Sequence, residues 1–299
     1  MSRLQTFFKR GISTLILWAI VIAIIASFNP ALYLGVITVV VLLAVYEYGM
    51  LMKKAKVFCH TKFLWILAGA YSVAISGFYL YHMKQGDAVG LHLPTYIEWG
   101  FWMLLMIGAP LFSLRYPVKG VQSLLAISTT VLGFAYLPFL FHFLTRIIFV
   151  VPAQESVAIP GIWYLVWLIV VTKFTDVGAY VIGSLCGKDK MIPHISPGKT
   201  WQGCVGGVII AVLLGVGLKL ALGDKLDYLG AWPWVVGLSV ILAILAIIGD
   251  LMESILKRSL EIKDSGKIIP GIGGVLDLID SLCFTAPIMY AYLLWQIHS

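Results

Sequence analysis

The stretch "WPWVVGLSVILAILAIIG", residues 232–249, contains no charged side chain. A helix that spans a membrane needs roughly 20 apolar residues, so this stretch predicts one. The whole chain has the same character, since 61% of its 299 residues are hydrophobic, only 12% are charged, and the mean hydropathy is +0.97. Soluble domains are about half apolar and a quarter charged. The composition therefore excludes a soluble globular protein and predicts an all-α, polytopic integral membrane protein.

Similar apolar runs recur along the chain and predict about nine transmembrane helices. They cover residues 12–29, 31–52, 63–81, 97–114, 121–145, 160–175, 203–222, 232–249 and 281–297. The first run has a basic flank like that of a signal peptide, but it lacks a good cleavage site and a second run follows at once. We therefore expect a retained helix. We divide the chain into N-terminal transmembrane helices, 1–150, and a C-terminal catalytic transmembrane region, 151–299.

The distribution of basic residues predicts the orientation. With the N-terminus in the cytoplasm, only Lys84, Arg146, Lys219 and Lys225 of the 21 Lys and Arg residues fall on the outer side. This arrangement predicts an N-in topology in a bacterial-type inner membrane, with cytoplasmic loops at 173–202 and 250–280. The basic residues are spread over separate short loops, which argues against a nucleic-acid partner. They would attract anionic lipid headgroups instead.

The second of these loops begins inside the polar segment "GDLMESILKRSLEIKDSGKIIPGIGGVLDLIDS", Gly249–Ser281. Asp250, Glu253, Ser254 and Lys257 are spaced so that they share one face if the preceding helix continues. A carboxylate at the membrane boundary is costly unless it is paired or binds a cation. A helix cap beside a solvated basic flank is the alternative interpretation of Asp250.

The same segment ends with glycines followed by two carboxylates. Gly271, Gly273 and Gly274 allow a sharp turn and a close approach to a ligand, and Asp277 and Asp280 follow in the first turns of the last helix. Capping of that helix would explain one carboxylate. Two carboxylates near several cations favour a Mg²⁺ and phosphate site. The neighbouring cations are Lys257, Arg258, Lys263 and Lys267.

The first loop contains "SPGKT", Ser196–Thr200, which is similar to the end of a phosphate-binding loop. A P-loop is excluded, because Pro193 occupies the place of its first glycine and no strand is predicted before it. Ser196 and Thr200 remain candidate helix caps, and Lys199 remains a candidate phosphate contact. Upstream, Asp176 and Tyr180 share a helix face.

A further carboxylate, Glu47, lies near the inner end of the second predicted span. An ionisable residue inside a membrane is a candidate functional residue. An ion pair with the nearby Lys53, Lys54 or Lys56 explains Glu47 equally well. We leave both interpretations open.

The segment from Gly249 to Asp280 closely resembles the C-terminal signature of the phosphatidate cytidylyltransferase (CDP-diacylglycerol synthase) family, S-x-x-K-R-x4-K-D-x-G-x2-[LIF]-P-x-H-G-G-x2-D-R-x-D. The upstream "DVGAYVIGSLCGKDKMIPHISPGKTWQG" resembles the family's other cytoplasmic motif, and the first third of the chain matches least. Ile272, Leu278 and Gln202 stand where the family has His, Arg and commonly Glu. A lipid phosphate monoester, with its second pKa of about 6, is already ionised and needs no strong base, so we expect an active variant.

The resemblance implies that CMP is transferred from CTP to phosphatidate in the membrane, releasing pyrophosphate. It implies Mg²⁺ held by Asp250 and Asp277, allows a monovalent cation such as K⁺ beside it, and leaves a homodimer open. Asp280 would orient the site or pair with Lys257. The implied catalytic residues are Asp250, Asp277, Asp280 and Lys257. The implied substrate-binding residues are Asp176, Ser196, Lys199, Ser254, Arg258, Lys263, Asp264, Lys267, Gly273 and Gly274.

Two other functions remain alternatives at this point. The first is a related CTP-dependent lipid kinase or a cytidylyltransferase for another lipid phosphate, which the departures at Ile272 and Leu278 keep open. The second is a cation or lipid transporter. Transporters commonly show inverted repeats and mid-membrane binding sites, whereas this sequence shows no repeat and gathers its carboxylates at one interface.

Overall fold

A computed structural model of the chain describes residues 16, 18–85, 93–118, 120–152, 159–262, 266 and 273–299. In these ranges eight helical segments are long and apolar enough to cross a membrane. The all-α polytopic prediction is therefore confirmed. The first predicted span, 12–29, lies partly outside the described residues, although residues 18–26 are helical.

The regular elements follow in chain order. The helices are α1 (Pro30–Lys54), α2 (Thr61–Lys84), α3 (Thr95–Ser113), α4 (Val121–Phe134), α5 (Phe143–Val150), α6 (Gly161–Cys186), α7 (Trp201–Leu222), α8 (Trp232–Ser259) and α9 (Leu276–His298). A π-helical turn, Ala135–Phe139, joins α4 to the chain that leads into α5, and a 3₁₀ segment, Gly223–Leu229, follows α7. Two short strands, β1 (Lys190–Ile192) and β2 (Ser196–Thr200), lie between α6 and α7.

The structure corrects several predicted boundaries. Helix α6 is continuous from Gly161 to Cys186, so much of the predicted 173–202 loop is helical. Helix α8 continues to Ser259, as the spacing from Asp250 to Lys257 predicted, and α9 begins at Leu276, with Asp277 in its first turn as expected. Both helices therefore extend beyond the apolar runs into the predicted 250–280 loop. The β1–β2 hairpin is antiparallel, with Lys190 opposite Thr200. Periodicity did not predict it because its strands are only three and five residues long.

The chain forms two compact units, and the division passes through α8 and α9. The first unit comprises residues up to Thr145 together with Ser259–Leu278. Inside it Tyr48 is fully buried and donates a hydrogen bond of 2.7 Å to the Thr129 carbonyl. Gly133 allows α4 to approach the Tyr48 ring, because a Cβ there would lie 2.7 Å from the ring edge. Buried aromatic contacts of this kind fix the packing of α1 against α4.

The second unit comprises Arg146–Arg258 and Ile279–Ser299. Its helices α6 and α7 pack closely through small residues. A Cβ on Gly207 would lie 2.7 Å from the Thr175 carbonyl oxygen, and one on Gly203 would lie 2.7 Å from the Ala179 carbonyl oxygen. Small residues four apart let membrane helices approach each other in this way. The close contact sets the position of Lys173 and Asp176 on α6 relative to the start of α7.

Candidate active site

Three carboxylates from two helices of the second unit converge. Asp250 and Glu253 are one turn apart on α8, and Asp280 lies near the start of α9. One oxygen from each carboxylate lies within 4.8 Å of the others. Glu253 and Asp280 are 1% and 3% exposed, whereas Asp250 remains partly open to solvent. Hard oxygen donors at such separations fit a divalent cation such as Mg²⁺.

Each of these carboxylates has a different lysine beside it. Lys199 Nζ lies 2.6 Å from Asp250 Oδ2, and Lys257 Nζ lies 3.0 Å from Glu253 Oε2. Lys173 Nζ lies 3.7 Å from Asp280 Oδ1. Charges removed from water are stable only when they are compensated. The lysines, which come from α6, β2 and α8, therefore permit three acidic groups to gather in one place.

The β1–β2 hairpin and the start of α7 bring Lys199 to this cluster. Thr200 caps α7, since its Oγ1 accepts a hydrogen bond of 3.2 Å from the Gly203 amide. Of the two predicted caps, Thr200 is confirmed, whereas Ser196 begins strand β2 instead. Next to the cap, Lys199 also donates a hydrogen bond of 3.3 Å to the Ile247 carbonyl. Its ammonium group is thereby held at the end of the apolar part of α8.

A serine connects two acidic side chains. Asp280 Oδ1 accepts hydrogen bonds from the amide and the hydroxyl of Ser281, at 2.6 and 3.0 Å. The same hydroxyl lies 3.3 Å from Asp176 Oδ2 on α6. A hydroxyl has one hydrogen to donate, so it can serve only one of the two carboxylates at a time. Asp176, which the resemblance placed in the substrate site, thus lies beside the carboxylate cluster.

The departure at Gln202 has a local structural reason. Its Oε1 accepts hydrogen bonds from the amides of Lys188 and Asp189, at 3.1 and 3.2 Å, while its Nε2 donates to Asp189 Oδ2 at 2.6 Å. A glutamate at this place could accept from the amides but could not donate to Asp189. Gln202 therefore stabilises the turn before β1.

On the other side of the hairpin, Arg258 Nε donates a hydrogen bond of 3.2 Å to the Ile195 carbonyl, and the arginine is exposed to solvent.

In the first unit, Asp277 acts at the start of α9. Its Oδ2 accepts a hydrogen bond of 2.8 Å from the Gly274 amide. Gly273 has a φ of +130°, and a Cβ there would overlap this carboxylate. This contact fixes the turn that leads into α9, which is a structural role of the kind that the sequence left as the alternative for one carboxylate. That Asp277 also binds a metal stays a prediction.

Some predicted site residues fall elsewhere. Lys257 pairs with Glu253, and Lys173 is the lysine beside Asp280. That Asp280 orients the site or also pairs with Lys257 stays a prediction. Ser254 lies on α8, one residue after Glu253, and is half-buried. Gly274 is buried at the start of α9. The predictions for Lys263, Asp264, Lys267 and Ile272 lie outside the described residues.

Sequence reasoning missed Glu253 as a candidate metal ligand and Lys173 as a partner of Asp280. The signal for Glu253 was its spacing of one helical turn from Asp250. For Lys173 the signal was its position one turn before Asp176 on the same helix. Neither spacing shows which carboxylate of another helix lies opposite, because that depends on tertiary packing.

Comparison with known proteins shows the family of this chain. The sequence model of the cytidylyltransferase family matches residues 8–295, nearly the whole chain. The chain belongs to the cytidylyltransferase family. This is a nucleotidyltransferase family, so the carboxylates and lysines described above lie in a chain related to enzymes that transfer a nucleotidyl group.

Individual relatives match over a shorter part. The chain is 40% identical over 130 residues to the phosphatidate cytidylyltransferase of Bacillus subtilis. This alignment covers 44% of this chain and 47% of the Bacillus subtilis protein. The chain is 39% identical over 130 residues to the phosphatidate cytidylyltransferase of Staphylococcus haemolyticus, covering 43% and 48%. The uncharacterized protein YnbB of Escherichia coli is 37% identical over 133 residues, covering 44% and 43%. Each alignment therefore spans less than half of the relative's length.

Proposed function

We propose that this chain is a phosphatidate cytidylyltransferase, which transfers CMP from CTP to phosphatidate and yields CDP-diacylglycerol and pyrophosphate. The observation that carries the proposal is the convergence of Asp250, Glu253 and Asp280, each with a lysine beside it, in a membrane-embedded member of the cytidylyltransferase family. Two relatives that match it in part are phosphatidate cytidylyltransferases.

The reaction is an in-line displacement at phosphorus. An ionised oxygen of the phosphatidate monoester forms a bond to the α-phosphorus of CTP. The bond from that phosphorus to the oxygen bridging the α- and β-phosphates breaks, and pyrophosphate leaves with the electron pair. No proton has to be removed from the attacking group in its ionised form, since its second pKa is about 6. This explains how the site can act with Ile272 in place of a histidine.

The residues of the site would divide the work as follows. Asp250, Glu253 and Asp280 would hold Mg²⁺, and K⁺ is a candidate for a second ion. Bound Mg²⁺ would neutralise charge on the phosphates and orient the reacting oxygens. Lys199 and Lys257 lie close enough to these carboxylates to contact phosphate oxygens from the same place. Exposed Arg258, which is held at the hairpin, can donate to a phosphate in a forked geometry.

Labelled CTP tests the proposal directly. Purified protein receives CTP labelled at either the α- or the γ-phosphate, together with phosphatidate, diacylglycerol or a polyprenyl phosphate. We expect α-label in the lipid, one pyrophosphate per lipid product, and turnover with phosphatidate alone. Transfer of γ-label would show a lipid kinase, and α-label on polyprenyl phosphate only would show a different acceptor. Either result would contradict the proposal.

The site is also proposed to face the cytoplasm of an inner membrane, where CTP is available. The exposed thiol of Cys186 at the end of α6 can report this. Cys204 and Cys283 are buried, and burial raises the pKa of the Cys59 thiol, which lowers its reactive thiolate fraction. A membrane-impermeant maleimide should therefore label Cys186 chiefly.

We expect labelling of Cys186 in inverted membrane vesicles, whose cytoplasmic face is outward, to exceed that in intact spheroplasts by about tenfold. In spheroplasts the impermeant reagent reaches a cytoplasmic thiol only through leaks in the membrane. Cys186→Ser should abolish the signal and is the control. Stronger labelling from the outer side would reverse the proposed topology.

A further inference from the structure

We propose that Glu47 is a positioning residue that fixes the start of α9 and thereby the carboxylate of Asp277. This inference rests on the proposed function. Glu47 lies on α1 and is only 3% exposed. A buried carboxylate inside a membrane helix is costly and needs compensation. The structure shows what compensates it.

The partner of Glu47 is a backbone amide at the start of α9. Its Oε2 accepts a hydrogen bond of 2.9 Å from the Leu276 amide, across 229 positions of sequence. The first amides of a helix have no partner within the helix, and the positive end of the helix dipole favours a negative charge there. Glu47 therefore caps α9 from another helix.

The local sequence explains why α9 needs such a cap. Helices usually begin after Ser, Thr, Asp or Asn, whose side chains accept from the first amides. Here Val275 precedes Leu276, and valine has no acceptor. Asp277 is engaged with the Gly274 amide. Glu47 supplies the acceptor that the local sequence lacks.

The other oxygen of Glu47 faces Gly266. A Cβ on Gly266 would overlap Glu47 Oε1. Among the described residues, this oxygen accepts no hydrogen bond. Glu47 thus lies against Gly266 with one oxygen and caps α9 with the other. Neither contact touches substrate, which is why we assign a positioning role.

Loss of the Glu47 carboxylate should loosen the first turn of α9 and displace Asp277. The family resemblance implies a catalytic role for Asp277, and misplacement of a catalytic group by about 1 Å can reduce turnover by about 100-fold. We expect Glu47→Ala to lower kcat about 10- to 100-fold, with a smaller change in KM for CTP. Glu47→Gln keeps an oxygen that can accept from Leu276, so it should retain kcat within about threefold.

The matched control removes a cap from a different helix of the same unit. Asn29 caps α1, and its Oδ1 accepts from the Ala31 amide at 3.0 Å. Asn29→Ala should lower the melting temperature and leave kcat unchanged. The proposal is wrong if Glu47→Ala retains kcat within twofold, if Glu47→Gln is as impaired as Glu47→Ala, or if Asn29→Ala loses kcat equally.

Hydrogen–deuterium exchange supplies a readout that needs no activity. Amides of residues 274–278 should exchange at least about tenfold faster in Glu47→Ala than in the unsubstituted protein, since that factor corresponds to about 1.4 kcal/mol for a lost cap. Unchanged exchange would overturn the positioning role even if CTP turnover proved absent. Conversely, faster exchange in a chain inactive on phosphatidate would refute only the proposed function.

If Glu47→Ala does not fold, Gly266→Ala carries the test. Its methyl group would displace the Glu47 carboxylate while leaving it present. It should accelerate exchange at residues 274–278 and lower kcat, and unchanged values of both would contradict the proposal.

Discussion

Asp280→Asn is expected to reduce CTP-dependent turnover by at least about 100-fold, because a metal-binding carboxylate contributes several kcal/mol to the stability of a phosphoryl-transfer transition state. Asn has the shape of Asp and can still accept the hydrogen bond that the Ser281 amide makes. The substitution removes one negative charge from the cluster that Asp280 forms with Asp250 and Glu253. It also removes the anionic partner of Lys173. Steady-state turnover with labelled CTP measures the effect.

A matched control is available in the same unit. Asp227 is exposed and lies 3.6 Å from the half-buried Lys219 Nζ, outside the carboxylate cluster. Asp227→Asn makes the same chemical change and should leave turnover within twofold of the unsubstituted protein, because a solvent-exposed carboxylate contributes little through its ion pair. An Asp280→Asn protein that retained half of its activity would show that this carboxylate has no part in catalysis.

Glu253→Gln is expected to raise the Mg²⁺ concentration needed for half-maximal turnover by at least about tenfold, since groups that hold or orient a metal typically affect its affinity by 10- to 100-fold. Glu253 is buried and belongs to the carboxylate cluster. Asp277→Asn, by contrast, keeps an oxygen for the Gly274 amide. If Asp277 serves only to fix the turn before α9, its substitution should shift the Mg²⁺ midpoint less than threefold.

The pair of substitutions separates two ligand sets. The family resemblance implies Asp250 with Asp277, whereas the structure brings together Asp250, Glu253 and Asp280. If Asp277→Asn shifted the Mg²⁺ midpoint and Glu253→Gln did not, the metal site would contain Asp277 and would not be the cluster of Asp250, Glu253 and Asp280. Asp227→Asn again serves as the control for a general loss of negative charge.

The fold was predictable because membrane helices are governed by composition. Apolar runs of about 20 residues have few alternatives in a bilayer. The β1–β2 hairpin was not predictable, because its strands are too short to show alternation. The helical continuation from Asp250 to Lys257 was predictable from spacing, and the Lys257–Glu253 pair confirms it.

The site was predictable only where its contacts are local in sequence. The spacing on α8 placed Asp250 and Glu253 on one face. The contact of Glu47 with Leu276 joins residues at opposite ends of the chain, and nothing in either local sequence specifies the other. The sequence left the role of Glu47 open between function and an ion pair with nearby lysines, and the structure shows a third role, helix capping.

The glycine contact between α6 and α7 has a practical consequence for biochemistry in detergent. This interface contains backbone atoms in close contact, such as the approach of Gly207 to the Thr175 carbonyl. Contacts of this kind do not depend on the solvent that surrounds the helix pair, because they exclude lipid and detergent alike. Extraction into micelles should therefore preserve the spacing between Lys173 and Thr200, and solubilised protein should report on the same site as the native membrane.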